Sequence, residues 1–203
     1  LSDLTSFFAT VKNLPQPDLI FANPPCETFS VATRGTFNSG NTGNLYYYED
    51  GTPITDFEDW KSSTSTNIRN LKRDKGLYFE NIKKIRDGHE RLHMNTETII
   101  RYFGVPFAIE NPAQSICFKK FYQNSSELLE LPYFYDAMTY YLAYDPDFLT
   151  KPTKIRASIP LVLRPKPIYD SKKRFEKIHN YNEKSAMPHN LIKSIVYQLL
   201  GID

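Results

Sequence analysis

Two short stretches combine residue types that can do covalent chemistry with turns able to hold them. The first is Asn23-Pro24-Pro25-Cys26. The apolar run 18–22 before it reads as a buried strand, which tandem prolines must end. A thiol directly after two residues of fixed φ would then be presented at a sheet's edge. If Glu27-Thr28-Phe29-Ser30 opens a helix, the amide dipoles there would favour the nucleophilic thiolate. A lone cysteine is otherwise commonly a small buried hydrophobe, the reading given to Cys117. The second stretch is Glu110-Asn111-Pro112, at the end of another apolar run, 106–109. A carboxyl group at a strand's C-terminal end can donate a proton or a hydrogen bond into the crevice beyond the sheet. It can equally be a structural carboxylate capping a helix.

Holding these residues in place calls for an α/β frame. Residues 2–13 carry Leu4, Phe7, Phe8 and Val11 at helical spacing after a Ser/Asp start. Residues 67–103 read as helix with breaks near Gly76 and Gly88, and 114–122 as a short helix. Strands are expected at 138–144, rich in β-formers, and at 154–163, hairpin-like after Asp145-Pro146. Residues 189–200 form an amphipathic helix that Pro188 precedes and Gly201 caps. Strand, helix, strand, helix, strand implies a mostly parallel sheet with flanking helices. The polar loop 33–65 is long enough to be functional, and its Tyr46-Tyr47-Tyr48 reads as a packed anchor before it reads as a base-stacking surface.

Composition narrows the classes. A chain of 203 residues allows one domain with a sizeable core. Two cysteines 91 positions apart cannot form a disulfide framework, and no apolar run is long enough to span a membrane. Eight glycines include no GxGxxG behind a strand, so a phosphate-cradling loop is not expected within these residues. The chain opens on Leu1 without a leader, as a fragment or a processed chain would. A cytoplasmic setting is expected. Net charge is only +2, but from Lys151 to Lys193 eleven Lys/Arg stand against three acids, a candidate face for polyanions. His89 and His93 are spaced i, i+4, yet Arg86, Glu90 and Arg91 around them suggest a solvated helix face and not a metal site.

Taken together, these stretches resemble one family. PDLIFANPPCETFS looks like the catalytic motif of DNA cytosine-5 methyltransferases, and FAIENP like the family's following Glu-Asn motif. TYYLAYDPDFLTKPTKIRASI is similar to the later strand-pair motif in a divergent form. Its Lys151-Pro152-Thr153 is closer to phage-type methylases. Lys184-Ser185-Ala186-Met187-Pro188 before HNLIKSIV resembles the closing motif. The four follow family order over residues 18–196.

The resemblance implies a partial Rossmann-like S-adenosylmethionine-dependent methyltransferase fold, one partial catalytic domain over 1–203 with the C-terminal helix packing back. Cys26 would attack C6 of a cytosine flipped from double-stranded DNA, and Glu110 would hold and protonate N3. Arg156, or Lys154, would be the cation near the base. Pro24, Pro25, Ser30 and Asn111 would support base binding, and Asn23, Ser185 and Ala186 would line the donor pocket. No metal is implied.

Departures matter too. The family's glycine-rich donor loop precedes the Pro-Pro-Cys strand, and only 17 residues precede Asp18 here. An upstream segment or a second chain would have to supply the donor site. A short basic segment, 161–183, stands in place of a target-recognition domain and suits phosphate contact. Two alternatives stay open: a non-catalytic methyltransferase-like protein binding DNA or a partner, and below it an amino-group methyltransferase. Asn-Pro-Pro-aromatic motifs of the latter stack the base, which Cys26 cannot.

Overall fold

The computed structural model describes residues 3–29, 46–48, 51–63, 75–121, 134–169 and 186–202. Ser30, Ser185, residues 33–45, 49–50 and 64–65 of the polar loop, 67–74 of the expected helix and 170–183 of the basic segment lie outside them. The fold is α/β, and the chain divides into two compact units. One comprises Leu1–Leu14, Pro24–Ile99 and Gln114–Gln123; the other Pro15–Asn23, Ile100–Ala113 and Asn124–Asp203.

The first unit opens with helix α1 (Leu4–Val11), where Asp3 caps the free amides of Thr5 and Ser6. Past the Pro-Pro-Cys turn, residues 46–48 lie antiparallel beside 51–54. The Ile54 amide donates to the Tyr46 carbonyl, and Gly51 turns the chain at φ 88°. Helix α2 (Phe57–Ser63) follows, and Trp60 packs against Phe57, Tyr78 and Phe79. The long helix α3 (Lys75–Phe103) runs through Gly88 without a break, since one helical glycine costs only about 1 kcal/mol against alanine. Within this unit its buried stripe includes Phe79, Ile82, Arg86, His93 and Thr96, at steps of three, four or seven residues, and it admits polar residues. Helix α4 is a single turn (Cys117–Lys120), shorter than the expected 114–122.

The second unit is built on a four-stranded sheet of order β1-β2-β4-β3. The strands are β1 (Ile20–Ala22), β2 (Phe107–Pro112), β3 (Tyr135–Tyr140) and β4 (Pro152–Ala157). The expected mostly parallel pairing is corrected: only β1 and β2 pair in parallel, while β2–β4 and β3–β4 are antiparallel. The cause is the connection between β3 and β4, a 3-10 turn (Tyr141–Ala143) and a short loop. So short a link joins adjacent strands only in antiparallel fashion. The hairpin begins and ends earlier than the apolar run suggested, because Tyr141–Ala143 turns out of the sheet.

Helix α5 (His189–Leu200) lays Leu191, Ile195 and Leu199 on a core with Ala108, Tyr141, Ile155 and Ala157. Four-residue spacing brings the three onto one stripe, each worth about 1.5–3 kcal/mol when buried. The helix ends at Gly201, φ 65°, with the Ile202 amide donating back to Tyr197 O at 2.9 Å. No helix among the described residues is long and apolar enough to cross a membrane. At Gly201 an added Cβ meets nothing within 4 Å. Gly201→Ala should therefore cost only the left-handed backbone penalty, about 1 kcal/mol, read from denaturant unfolding. A neutral outcome would mean that the cap does not hold the helix end.

Candidate functional site

In the first unit the Pro-Pro-Cys turn is gripped by α3. Pro24 is buried, Pro25 and Cys26 half-buried, and neither cysteine of the chain is in a disulfide. His93, fully buried, reaches the Pro25 carbonyl with Nε2 at 3.0 Å. A carbonyl only accepts, so Nε2 carries the proton. The ring stacks on Phe121 at 5.1 Å and meets the edge of Phe29 at 4.6 Å. One turn earlier His89 Nδ1 lies 3.3 Å from Thr28 Oγ1. The expected solvated histidine face is thus corrected: its polar groups are spent on the Pro-Pro-Cys turn, because that turn packs where solvent was expected. Burial pushes the His93 pKa down to about 4, despite the Pro25 carbonyl acting against it. His89 is also lowered, again by burial first, with Glu27 opposing.

Glu27 to Phe29 form a turn, closed by the Phe29 amide donating to Cys26 O at 3.0 Å. Among the described residues, then, no helix opens behind the thiol, and the expected dipole assistance is not part of this turn. Phe29 is held on both sides: its carbonyl accepts from Ile116 N, and its ring stacks on Tyr47. Tyr47, fully buried, donates to Glu90 Oε1 at 2.8 Å, and Lys120 pairs with the same carboxylate. Burial and Glu90 hold its phenol well above the ordinary pKa, a neutral donor. Tyr46 and Tyr47 are therefore packed anchors, as expected, while Tyr48 is exposed.

In the second unit Glu110 lies at the C-terminal end of β2 and is 1 % exposed. Its Oε1 accepts from Tyr141 Oη at 2.8 Å and from the Thr153 hydroxyl. Two hydroxyl donors offset the desolvation that an unmet buried carboxylate would suffer. Thr153 Oγ1 is also 3.0 Å from the Asn111 carbonyl. It has one proton and two acceptors, so it donates to one at a time. If Glu110 carries a proton, it can donate to Thr153 while Thr153 turns to Asn111. The pocket thus has a hydrogen-bond pattern for either charge state of the carboxyl group. Asn111, fully buried, donates from Nδ2 to the Glu110 carbonyl at 2.9 Å.

Arg156 and Lys154 do not join this cluster. Residues along β4 alternate between faces: Thr153, Ile155 and Ala157 share the Glu110 face, while Lys154 and Arg156 lie on the other. There Arg156 makes a bidentate pair with Asp136 at 2.7 and 2.8 Å, and Lys154 lies 3.4 Å from the same carboxylate. Burial is the largest single influence on the Asp136 carboxyl and pushes it up, but the pairs with Arg156 and Lys154 together outweigh it and hold the group below its usual range. Sequence reasoning missed Tyr141, Thr153, His89 and His93. Only for Thr153 was there a signal, the two-residue step from Ile155.

S-adenosylmethionine, the donor implied by the resemblance, does not fit the described residues. Asn23 and Ala186 are exposed, and among the described residues the left-handed glycines are Gly51, Gly104 and Gly201, none standing directly behind a strand at the start of a helix. Among the described residues no three His, Cys, Asp or Glu side chains form a metal-binding group. No protein-family model matches the chain, and no curated protein or solved structure matches it either.

The histidine grip makes stability pH-dependent. His93 has a folded pKa near 4 against 6.5 in the unfolded chain, so the unfolded state binds the proton first. Its contribution is full above pH 6.5 and falls away toward pH 4, by about 3 kcal/mol in all. Urea unfolding between pH 7 and 4 should show that loss, and His93→Gln should flatten it. An unchanged slope in the variant would place the effect elsewhere.

Proposed function

We propose that the chain carries the target-base chemistry of a DNA cytosine-5 methyltransferase, within a partial Rossmann-like methyltransferase fold. The observation that carries the reading is the parallel pairing of β1 with β2, Ala22 opposite Ile109. The residues that follow, Asn23 leading into Pro-Pro-Cys and Glu110 leading into Asn-Pro, thus issue from the same ends of neighbouring strands. In sheets of this kind ligands gather beyond carboxyl ends.

The chemistry assigned is conjugate addition. The Cys26 thiolate forms an S–C6 bond to a cytosine flipped from duplex DNA. The C5=C6 electron pair moves to C4=C5, and the N3=C4 pair moves onto N3, which takes the carboxyl proton of Glu110. C5 is then a nucleophilic enamine carbon. C5 forms a bond to an electrophile, a solvent proton in the simplest case. Its original hydrogen then leaves to solvent as a proton, and that electron pair re-forms C5=C6 as S–C6 breaks to release the thiolate. N3 returns its proton to Glu110. Asn111 holds the Glu110 backbone, and the two hydroxyls hold Oε1. In the short basic segment 161–183, the exposed Arg164 and Lys166 offer phosphate contacts. Among the described residues no donor cradle fits, which favours one second reading, a non-catalytic methyltransferase-like protein that binds DNA or a partner.

Addition, protonation of C5 by solvent, loss of the original C5 proton and elimination of the thiolate together exchange the C5 hydrogen, so the test needs no methyl donor. In heavy water the chain should exchange deuterium into cytosine C5 of duplex DNA. Cys26→Ser should abolish exchange, and Glu110→Gln should slow it by roughly 10²-fold or more. Salt-sensitive DNA binding with no exchange, and no adduct on 5-fluorocytosine DNA with donor added, would sink the enzyme reading in favour of the second.

A further inference from the structure

The geometry points to Lys151 as the positioning cation of the Glu110 site, acting through the Tyr141 hydroxyl. This deepens the methyltransferase reading and rests on it for the reaction concerned. The resemblance offers Arg156 or Lys154 as a cation near the base, but both pair with Asp136 on the opposite face of the sheet from Glu110. On the Glu110 face, Thr153, Ile155 and Ala157 bring no charge.

Lys151, just before β4, fills that gap. Its Nζ lies 3.4 Å from Tyr141 Oη and 4.7 Å from the centre of the same ring. The contact is built into the backbone as well, since the Tyr141 amide donates to the Lys151 carbonyl at 3.2 Å. Tyr141 in turn donates to Glu110 Oε1 at 2.8 Å. An ammonium group donating to a hydroxyl polarises it and makes it a stronger donor to the next acceptor. The chain Lys151–Tyr141–Glu110 therefore fixes Oε1. Among the described residues nothing donates to Oε2, the oxygen left to meet a ring nitrogen. Lys151 acts on Glu110 through Tyr141, so its role is to position.

Two readouts test this. In the C5 exchange assay Lys151→Met and Tyr141→Phe should each slow exchange by roughly tenfold, the scale of one charge-assisted hydrogen bond. Lys151→Arg should restore most of the rate, and the Met/Phe double variant should be no slower than Tyr141→Phe. Lys151 is half-buried at a loop end, so its variants test the idea even if Tyr141→Phe fails to fold. Separately, the infrared carboxylate band lost in Glu110→Gln should move in Lys151→Met, and should not move further when Tyr141 is already Phe. A wild-type rate in Lys151→Met, or an unmoved band, overturns the proposal. Cys26-dependent exchange with an unmoved band would leave the methyltransferase reading standing and this one not. A coupled band without any exchange would do the reverse.

Discussion

Glu110 is almost wholly removed from water at the end of a strand, and a carboxylate there has to be met by donors from the protein itself. Much of the second unit follows from meeting it. Tyr141 reaches it only because β3 ends in a 3-10 turn, which swings the ring under the sheet. Thr153 reaches it only because β4 lies antiparallel beside β2 in a register that pairs Ile155 with Glu110. Helix α5 then closes over the same face with Leu191, Ile195 and Leu199, keeping solvent from the cluster. Core packing and carboxylate satisfaction are one arrangement seen from two sides.

Local signals in the chain carried much of this frame. Tandem prolines announced the end of β1, and the Asp3 cap, the stripe of α5 and Gly201 were readable because each depends on neighbours a few residues away. What escaped was whatever depends on distant partners. The apolar run 138–144 does not say where pairing stops, since Tyr141–Ala143 are as β-prone as the strand before them. The reversal of β4 follows from the short link, but its position between β2 and β3 rests on pairings far apart in sequence.

The candidate residues divide the same way. Cys26 and Glu110 stood out through their turns, while Arg156 and Lys154 were chosen by charge and proximity in sequence, which ignore the two-residue alternation of a strand. His93 was hidden for a related reason. A buried stripe is recognised by apolar residues, and α3 buries Arg86 and His93 by giving their protons to carbonyls of Ile54 and Pro25. Polar groups satisfied by a packed loop look, in sequence, like polar groups satisfied by water.

The hairpin between Ala143 and β4 has a further consequence. Alternation sends Thr153 and Ile155 to the Glu110 face and Lys154 and Arg156 to the other, and the register depends on the length of that loop. Adding or losing a single residue there would slide the strand by one place and exchange the two sets. A hydroxyl-lined acid would become a buried salt bridge, and α5 would face charges where it now packs on Ile155 and Ala157. Loop length thus acts as a selector of the site's electrical character, which point substitutions near Glu110 would leave untouched.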